Sequence, residues 1–569
     1  MAPIQSAAFL TQFNIEAIKD FTLFEQQLQN LLTLMPLHHV YVESHRSGIF
    51  ISEKILIQLR KLFEKYNLHV SGAITFTCGS TSDTLFDTFC YAHPDTEKKI
   101  RQIVHFTASL FDEIILDDFF FTHCKCPACI KEKGNQTWET YRLEKMKFVA
   151  TQWVLGEAKK TNPKVKVIIK YPNWYEAYQT NGYNLEVASA FDGIYTGTET
   201  RDPHYTQQNL QRYNSYFLMD YLNGLAPHQN AGAWFDLLDC TYNLNSAVEQ
   251  ARLSLFGKAK EITLYNLGDL LDGDLSIFTP LLGHTYRQFN HFINYLGNPI
   301  GIATYKPLHS YGENYLEGYL GMLGLPLKAY ASYPLNEPTL FLTAHAAHDP
   351  LLLDAIIKSL YQGHTVILTR SLAHALQGKG LEELITLDFP TEKSFLQEFG
   401  YEWEVCAFKH YTQSSKPILF TQLNFATNDA MNSISGFTEA GSIPLLISSH
   451  YAKGQLYILN LPDTFGDLYQ LPAPLINKLR QLFMAHLPLQ INGPTPFSLF
   501  LYDNDYLAIH SFADYTTFYT LLLPKGYSEL LDMESGKVIL GTPTGQGTSF
   551  ELSLLSHCYK VLKAVKSNY

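Results

Sequence analysis

Over the first 300 residues, short runs rich in β-branched residues alternate with stretches whose apolar positions recur every three to four residues. The strand-like runs are 7–13, 39–43, 70–77, 114–118, 166–171, 193–197, 232–235 and 261–265. Between them, LFEQQLQNLLTLM, KILIQLRKLFEKY and SAVEQARLSLFGKA read as amphipathic helices. Eight such units in this length predict a (β/α)₈, or TIM, barrel. A doubly wound sheet would need a glycine-rich phosphate loop after the first strand, and the sequence has none there.

A barrel of this kind places its active site at the C-terminal ends of its strands, and six of the eight runs deliver polar groups there. The second ends in Glu43, His45 and Arg46, the fourth in Asp117 and Asp118, and the fifth in Tyr171, Asn173 and Trp174. The sixth runs into Glu199, Arg201 and Asp202, the seventh ends in Trp234 and Asp236, and the eighth in Asn266 and Asp269. Directly after Asp118, Cys124, Cys126 and Cys129 supply three thiols in a C-x-C-x-x-C knuckle. Tetrahedral zinc takes four ligands, so a fourth is expected from Cys90, Cys78 or His123. A closed cysteine site of this type pins a loop and does not activate water.

Beyond residue 300 the pattern changes. PTLFLTAHAA, DPLLLDAIIKSLYQG and HTVILT form a strand–helix–strand unit, and IPLLISSHYAKGQLYILNLP reads as a hairpin turned at Lys453-Gly454. From Phe497 onward, alternation dominates, as in a small antiparallel β-domain. The expected domains are therefore 1–300 (barrel), 301–490 (α/β) and 491–569 (β).

The net charge of −12 argues against nucleic acid as the partner. No apolar run reaches the length that spans a bilayer, and the N-terminal stretch lacks the pattern of a secretory signal. Eight cysteines in so long a chain, three of them clustered, point to metal-bound thiols in the reducing cytoplasm.

The stretch FCYAHPDTEKKIRQIVHFTASLFDEIILDDFFFTHCKCPACI resembles the matching part of the family-42 β-galactosidases, a clan-A glycoside hydrolase family. The resemblance implies a structural Zn²⁺ held by Cys90, Cys124, Cys126 and Cys129, with Cys78 left as a buried thiol. It also implies the domain order already read: a catalytic barrel, an amidotransferase-like α/β domain used in trimerisation, and a β-domain. Where the family carries Asn–Glu on strand four, this chain has Asp117-Asp118, so Asp118 stands at the general-acid position. Where the family carries a nucleophilic Glu on strand seven, Asp236 is the nearest match.

Glycoside hydrolysis requires one carboxyl group to protonate the leaving oxygen and a second to attack or stabilise the oxocarbenium-like centre. Asp118 and Asp236 are the expected pair, with Glu199 the rival for either role. Asp117, Glu43, Arg46, Tyr171, Asn173, Trp174, Arg201, Trp234 and Asn266 are the expected substrate-binding residues. The expected activity is hydrolysis of a small glycoside or oligosaccharide. The alternative is a decayed barrel that binds carbohydrate or regulates without cleaving it.

Overall fold

The structure, a computed structural model, describes residues 4–79, 87–206, 208, 210–271, 273–404 and 406–566. The outermost residues of the first and last expected domains lie outside these. The chain divides into two compact units, Met1–Asn294 and Tyr295–Tyr569.

The first unit is a closed parallel barrel. Its strands are β1 (Gln5–Leu10), β2 (His39–Arg46), β3 (His69–Ile74), β4 (Glu113–Leu116), β5 (Lys166–Tyr171), β6 (Gly193–Gly197), β7 (Asn230–Asp236) and β8 (Glu261–Tyr265). Neighbours in sequence are neighbours in the sheet, and β1 closes the ring by pairing with both β2 and β8. Side chains alternate between the two faces of each strand. The inward set includes Phe9, Tyr41, Ala73, Ile115, Ile168, Tyr195 and Trp234, which form one apolar cluster. The intervening residues face the surrounding helices, whose starts carry side-chain caps such as Asp20 at Phe21–Leu34 and Ser52 at Glu53–Lys65.

One irregularity matters for the site. The pairing of β2 with β3 slips between Glu43 and His45, a bulge that changes which later side chains turn inward. Strict alternation from Tyr41 and Glu43 would turn His45 inward and Arg46 outward. With the slip, Arg46 reaches the barrel mouth and His45 Nδ1 lies 3.0 Å from the Thr75 carbonyl.

Among the described residues the second unit holds a mixed sheet, two larger antiparallel sheets and a two-stranded antiparallel ladder, Leu387–Asp388 with Asn424–Phe425. In the mixed sheet, Ile302–Tyr305 pairs in parallel with Leu327–Tyr330 and Thr339–Leu342, and Thr365–Thr369 with Thr339–Leu342 and Gly454–Leu459. The helix Leu352–Tyr361 crosses over between two of these strands, as its sequence predicts. The sheet then continues antiparallel through Gly441–Tyr451, Met431–Thr438, Lys393–Glu404 and Ala407–Thr421. This antiparallel half lies within the expected α/β region, 301–490, where the sequence predicts only the hairpin. The predicted hairpin is present, but Tyr451 faces Gly454, so its turn is Ala452-Lys453, with Ala452 in the left-handed region at φ 53°. Residues beyond 490 form strands in the two antiparallel sheets, as the alternation predicts.

Candidate active site

At the C-terminal mouth of the barrel lies a cavity of ≈ 310 Å³ lined by groups from β2 and from β4 through β8. Arg46, Asp117, Asp118, Asn173, Trp174, Glu199, Arg201, Trp234 and Asp236, all expected from the sequence, line it. Inward alternation explains most of them. Ile115 faces the barrel interior, and so does Asp117 two residues on; Tyr195, Gly197 and Glu199 follow the same step, as do Trp234 and Asp236.

The cavity is built around Lys170, a buried ammonium that the sequence reading passed over. It shares a face with Ile168, two residues back, and its Nζ lies 4.4 Å from the centre of the Trp234 ring. It donates to Asp118 Oδ2 at 3.1 Å and to Glu199 Oε1, and stands 4.0 Å from Asp117 Oδ1. One ammonium thus serves carboxyl groups from β4 and from the loop after β6. The alternation itself could have found it, since a lysine two residues after an inward isoleucine must point inward.

The two adjacent aspartates are driven apart electrostatically. Burial alone would raise the pKa of Asp117, but Lys170 and Arg46 outweigh it and hold this carboxyl below its ordinary value. Arg46 Nη2 donates to Asp117 Oδ2 at 3.0 Å, while Asp117 Oδ1 accepts the Asp118 N–H at 2.8 Å. For Asp118, burial dominates over the pull of Lys170, and the charges of Asp117 and Glu199 add to it; its carboxyl rises from 3.8 to about 7. Its side chain is also the most exposed of the four acids, at 16% against 4% for Asp117 and 6% for Glu199 and Asp236. Burial likewise raises Glu199, with Lys170 opposing and Asp236 adding to the rise.

Asp236 is held differently. Arg201, in the left-handed region at φ 54°, grips it through Nε at 3.0 Å and Nη2 at 2.8 Å. Its Oδ1 also accepts the Leu238 N–H at 3.1 Å. Gly197 permits the neighbouring approach: a Cβ there would lie 2.9 Å from both Pro172 Cα and Asn173 N, and 2.6 Å from Glu199 Oε2. Asn173 in turn donates to the Glu199 carbonyl at 2.5 Å.

Three expected binding residues do not line the cavity. Tyr171 points away from the barrel interior and donates to the Asn184 carbonyl at 3.0 Å, because it sits one residue out of step with the inward Lys170. Asn266 is displaced for the same reason: Tyr265 lines the cavity, and Asn266 binds Asp269 through its side-chain oxygen and nitrogen, both at 3.0 Å. Glu43 is fully buried beneath Arg46, accepting from its Nε at 2.9 Å, and supports that side chain from below. Sequence reasoning also missed Phe119, Gln208, Leu238 and Tyr265, which complete the lining.

Beside the strand-four loop, Cys90, Cys124, Cys126 and Cys129 bring their sulfurs within 4.8 Å of one another. Cys90 Sγ lies 3.6 Å from Cys126 Sγ and 3.5 Å from Cys129 Sγ, and those two are 3.7 Å apart. Four sulfurs at about 2.3 Å from a tetrahedral zinc would stand at nearly these separations, so the donor set fits the ion. Cys78 lies elsewhere, its Sγ 3.1 Å from Asp87 Oδ1, and His123 is not part of the cluster.

The chain is similar to several known proteins. An uncharacterized protein of Saccharolobus solfataricus, SSO3021, is 25% identical over 555 residues, covering 88% of this chain and 90% of that one. Among solved structures, α-L-fucosidase isoenzyme 2 from Paenibacillus thiaminolyticus covers the full length of both chains with a TM-score of 0.68 at 12% identity. A catalytic mutant of Gan42B, a GH42 β-galactosidase from G. stearothermophilus, covers 99% of this chain and 98% of its own, with a TM-score of 0.66 at 10% identity. At such identities the two structures speak for the fold, which bears out the expected likeness to family 42 at that level. The model of the SSO3021 second domain matches residues 297–464, and that of a probable glycosyl hydrolase C-terminal domain matches residues 488–564. A model described as the catalytic domain of a probable glycosyl hydrolase matches residues 2–290, and the chain belongs to that family.

Proposed function

We propose that the protein cleaves a small glycoside or oligosaccharide by a two-carboxylate mechanism, with Asp118 as the general acid and Asp236 as the second carboxylate. The observation that carries the proposal is the contrast between the two groups, which line one cavity from β4 and β7. Asp118 is partly exposed and binds a proton up to about pH 7, whereas Asp236 is paired through both oxygens with Arg201. A proton donor works best with a pKa near the working pH. Trp174 and Trp234 offer apolar faces to a sugar ring, and Asn173 and Gln208 offer polar groups to its hydroxyls.

A second reading has its own support. Asp118 and Glu199 both accept from Lys170, so their oxygens are no farther apart than two hydrogen bonds laid end to end. Such closeness suits a retaining pair, whose carboxyls stand roughly 5–5.5 Å apart, and would make Glu199 the second carboxylate.

We further propose a structural Zn²⁺ in the four-cysteine cluster, a cytoplasmic location consistent with reduced thiols, a homotrimer formed through residues 301–490, and domain boundaries near 300 and 490. The experiment is a screen of aryl glycosides, beginning with β-galactosides and α-L-fucosides because two fold neighbours carry those names. Kinetics of Asp118→Asn, Asp236→Asn and Glu199→Gln then follow. Asp118→Asn should lose at least about 10²-fold in kcat and be partly rescued by good leaving groups, whereas loss of a nucleophile should not be. An inactive Glu199→Gln beside an active Asp236→Asn would establish the second reading. Binding without turnover of any glycoside would overturn both.

A further inference from the structure

At the opposite end of the barrel, four strands begin with a metal-binding type of side chain: His39 on β2, His69 on β3, Glu113 on β4 and Glu261 on β8. His39 and His69 are register partners in adjacent parallel strands, which sets their rings side by side with centroids 4.5 Å apart. Glu113 Oε1 lies 3.9 Å from His39 Nε2 and 3.8 Å from His69 Nε2. All three donor atoms fall within 4.8 Å of one another.

The orientation of His39 is fixed from behind. Its Nδ1 lies 2.8 Å from Glu261 Oε2, and the other oxygen of Glu261 accepts from Tyr41 at 2.8 Å and Tyr195 at 2.9 Å. A nitrogen facing a carboxylate carries a proton, so Nδ1 is committed to Glu261 and Nε2 is the atom His39 turns toward Glu113 and His69. A carboxylate behind a histidine of this kind is the usual outer support of a metal-ligating imidazole.

Ser71 Oγ lies among the three donors, 2.8 Å from His39 Nε2, 3.3 Å from His69 Nε2 and 2.9 Å from Glu113 Oε1. Its one proton goes to Glu113, so its oxygen lone pairs remain directed into the space between the two imidazoles. A cation at this point would meet two imidazole nitrogens and a carboxylate oxygen at once. We infer that His39, His69 and Glu113 form a divalent transition-metal site, of the zinc class, that ties β2, β3 and β4 together at the N-terminal end of the barrel. Two imidazoles and one carboxylate are a recurring ligand set for such ions, with a fourth position left for water or the Ser71 hydroxyl. Bringing the donors to about 2.0–2.2 Å from one ion requires Glu113 Oε1 to close by roughly half an ångström on each imidazole nitrogen. His69, whose side chain is 63% exposed, has the freedom to make that movement and opens the site to solvent.

The test uses the full-length protein, stripped with chelator and re-equilibrated with excess ZnCl₂, and measures zinc per chain for the native protein, His69→Gln and Glu113→Gln. The native protein should hold about one more ion than either variant. Cobalt in place of zinc in a Cys90→Ser/Cys126→Ser background should give d–d absorption that His69→Gln abolishes, distinct from any thiolate charge transfer left at the remaining cysteines. His69 is exposed, so its replacement leaves the fold intact, and hydrolytic activity at the other end of the barrel should be unchanged. Equal zinc content in all three proteins, with no cobalt spectrum dependent on His69, would overturn the assignment and leave a cluster neutralised by a proton.

Discussion

Arg201 holds Asp236 through two parallel hydrogen bonds, from Nε at 3.0 Å and Nη2 at 2.8 Å. A planar fork of this sort positions a carboxylate as well as pairing its charge, and a lysine cannot reproduce it. Arg201→Lys should therefore lower kcat/KM by about 10- to 100-fold, the equivalent of one charge-assisted hydrogen bond at about 1.5–3 kcal/mol. Thermal unfolding should shift little, because the charge survives. Full activity in Arg201→Lys would remove Asp236 from the catalytic pair.

The pH dependence follows from Asp118. Its carboxyl must be protonated to act as an acid, so kcat/KM should fall on the alkaline side of about pH 7. Lys170 opposes that protonation, and Lys170→Met should move the alkaline limb to higher pH while lowering the maximum. The folded chain binds this proton more tightly than the unfolded one, whose carboxyl titrates near 3.8, so this group's contribution to stability declines as pH rises from about 4 to 7. A pH–rate profile identical in Lys170→Met and the native protein would contradict the assignment.

Cys126→Ser should release most of the zinc bound at the cysteine cluster and lower the unfolding temperature. Activity should decline only to the extent that the strand-four loop loosens, since a four-cysteine site is closed to substrate. Metal analysis and calorimetry on the same preparation check both halves.

Gly197→Ala should damage the site more than the fold. The new methyl would meet the backbone of Pro172 and Asn173 at 2.9 Å, and these cannot move aside as a side chain can. Displacement of Glu199 and Asn173 by a fraction of an ångström to an ångström should cost on the order of 10²-fold in kcat/KM. Near-native turnover would mean that neither residue's position matters.

Light scattering at micromolar concentration should report a trimer, and deletion of residues 301–569 should abolish it. A monomeric native protein would contradict the role proposed for the α/β region.

Much of the barrel was legible because its signal is periodic. The runs 166–171, 193–197 and 261–265 coincide with β5, β6 and β8, and the other five lie within a few residues of their strands. The site was legible as a set of strand ends but not at single-residue resolution. The strand ends point to Tyr171 and Asn266 where Lys170 and Tyr265 face the cavity, a one-residue error that alternation converts into the wrong side of the sheet. Arg46 is the reverse case, reaching the cavity only because β2 slips at Glu43 and His45, and no local pattern announces that bulge. The long strands Lys393–Glu404 and Ala407–Thr421 escaped notice because both are largely solvent-facing and lack a sustained apolar alternation.

The network around Lys170 also bears on which sugars the barrel can admit. Among the described residues, Glu43, Asp117, Asp118, Glu199 and Asp236 pair with Arg46, Lys170 and Arg201, so five acids share three cations. Protonation of Asp118, and the burial that raises Glu43 and Glu199 as well, offsets that excess without leaving a surplus of positive charge. A uronic acid or a sulfated sugar would bring further negative charge into a space whose described cations are already paired with carboxylates. The enzyme is therefore expected to select neutral sugars by charge before any hydroxyl is read.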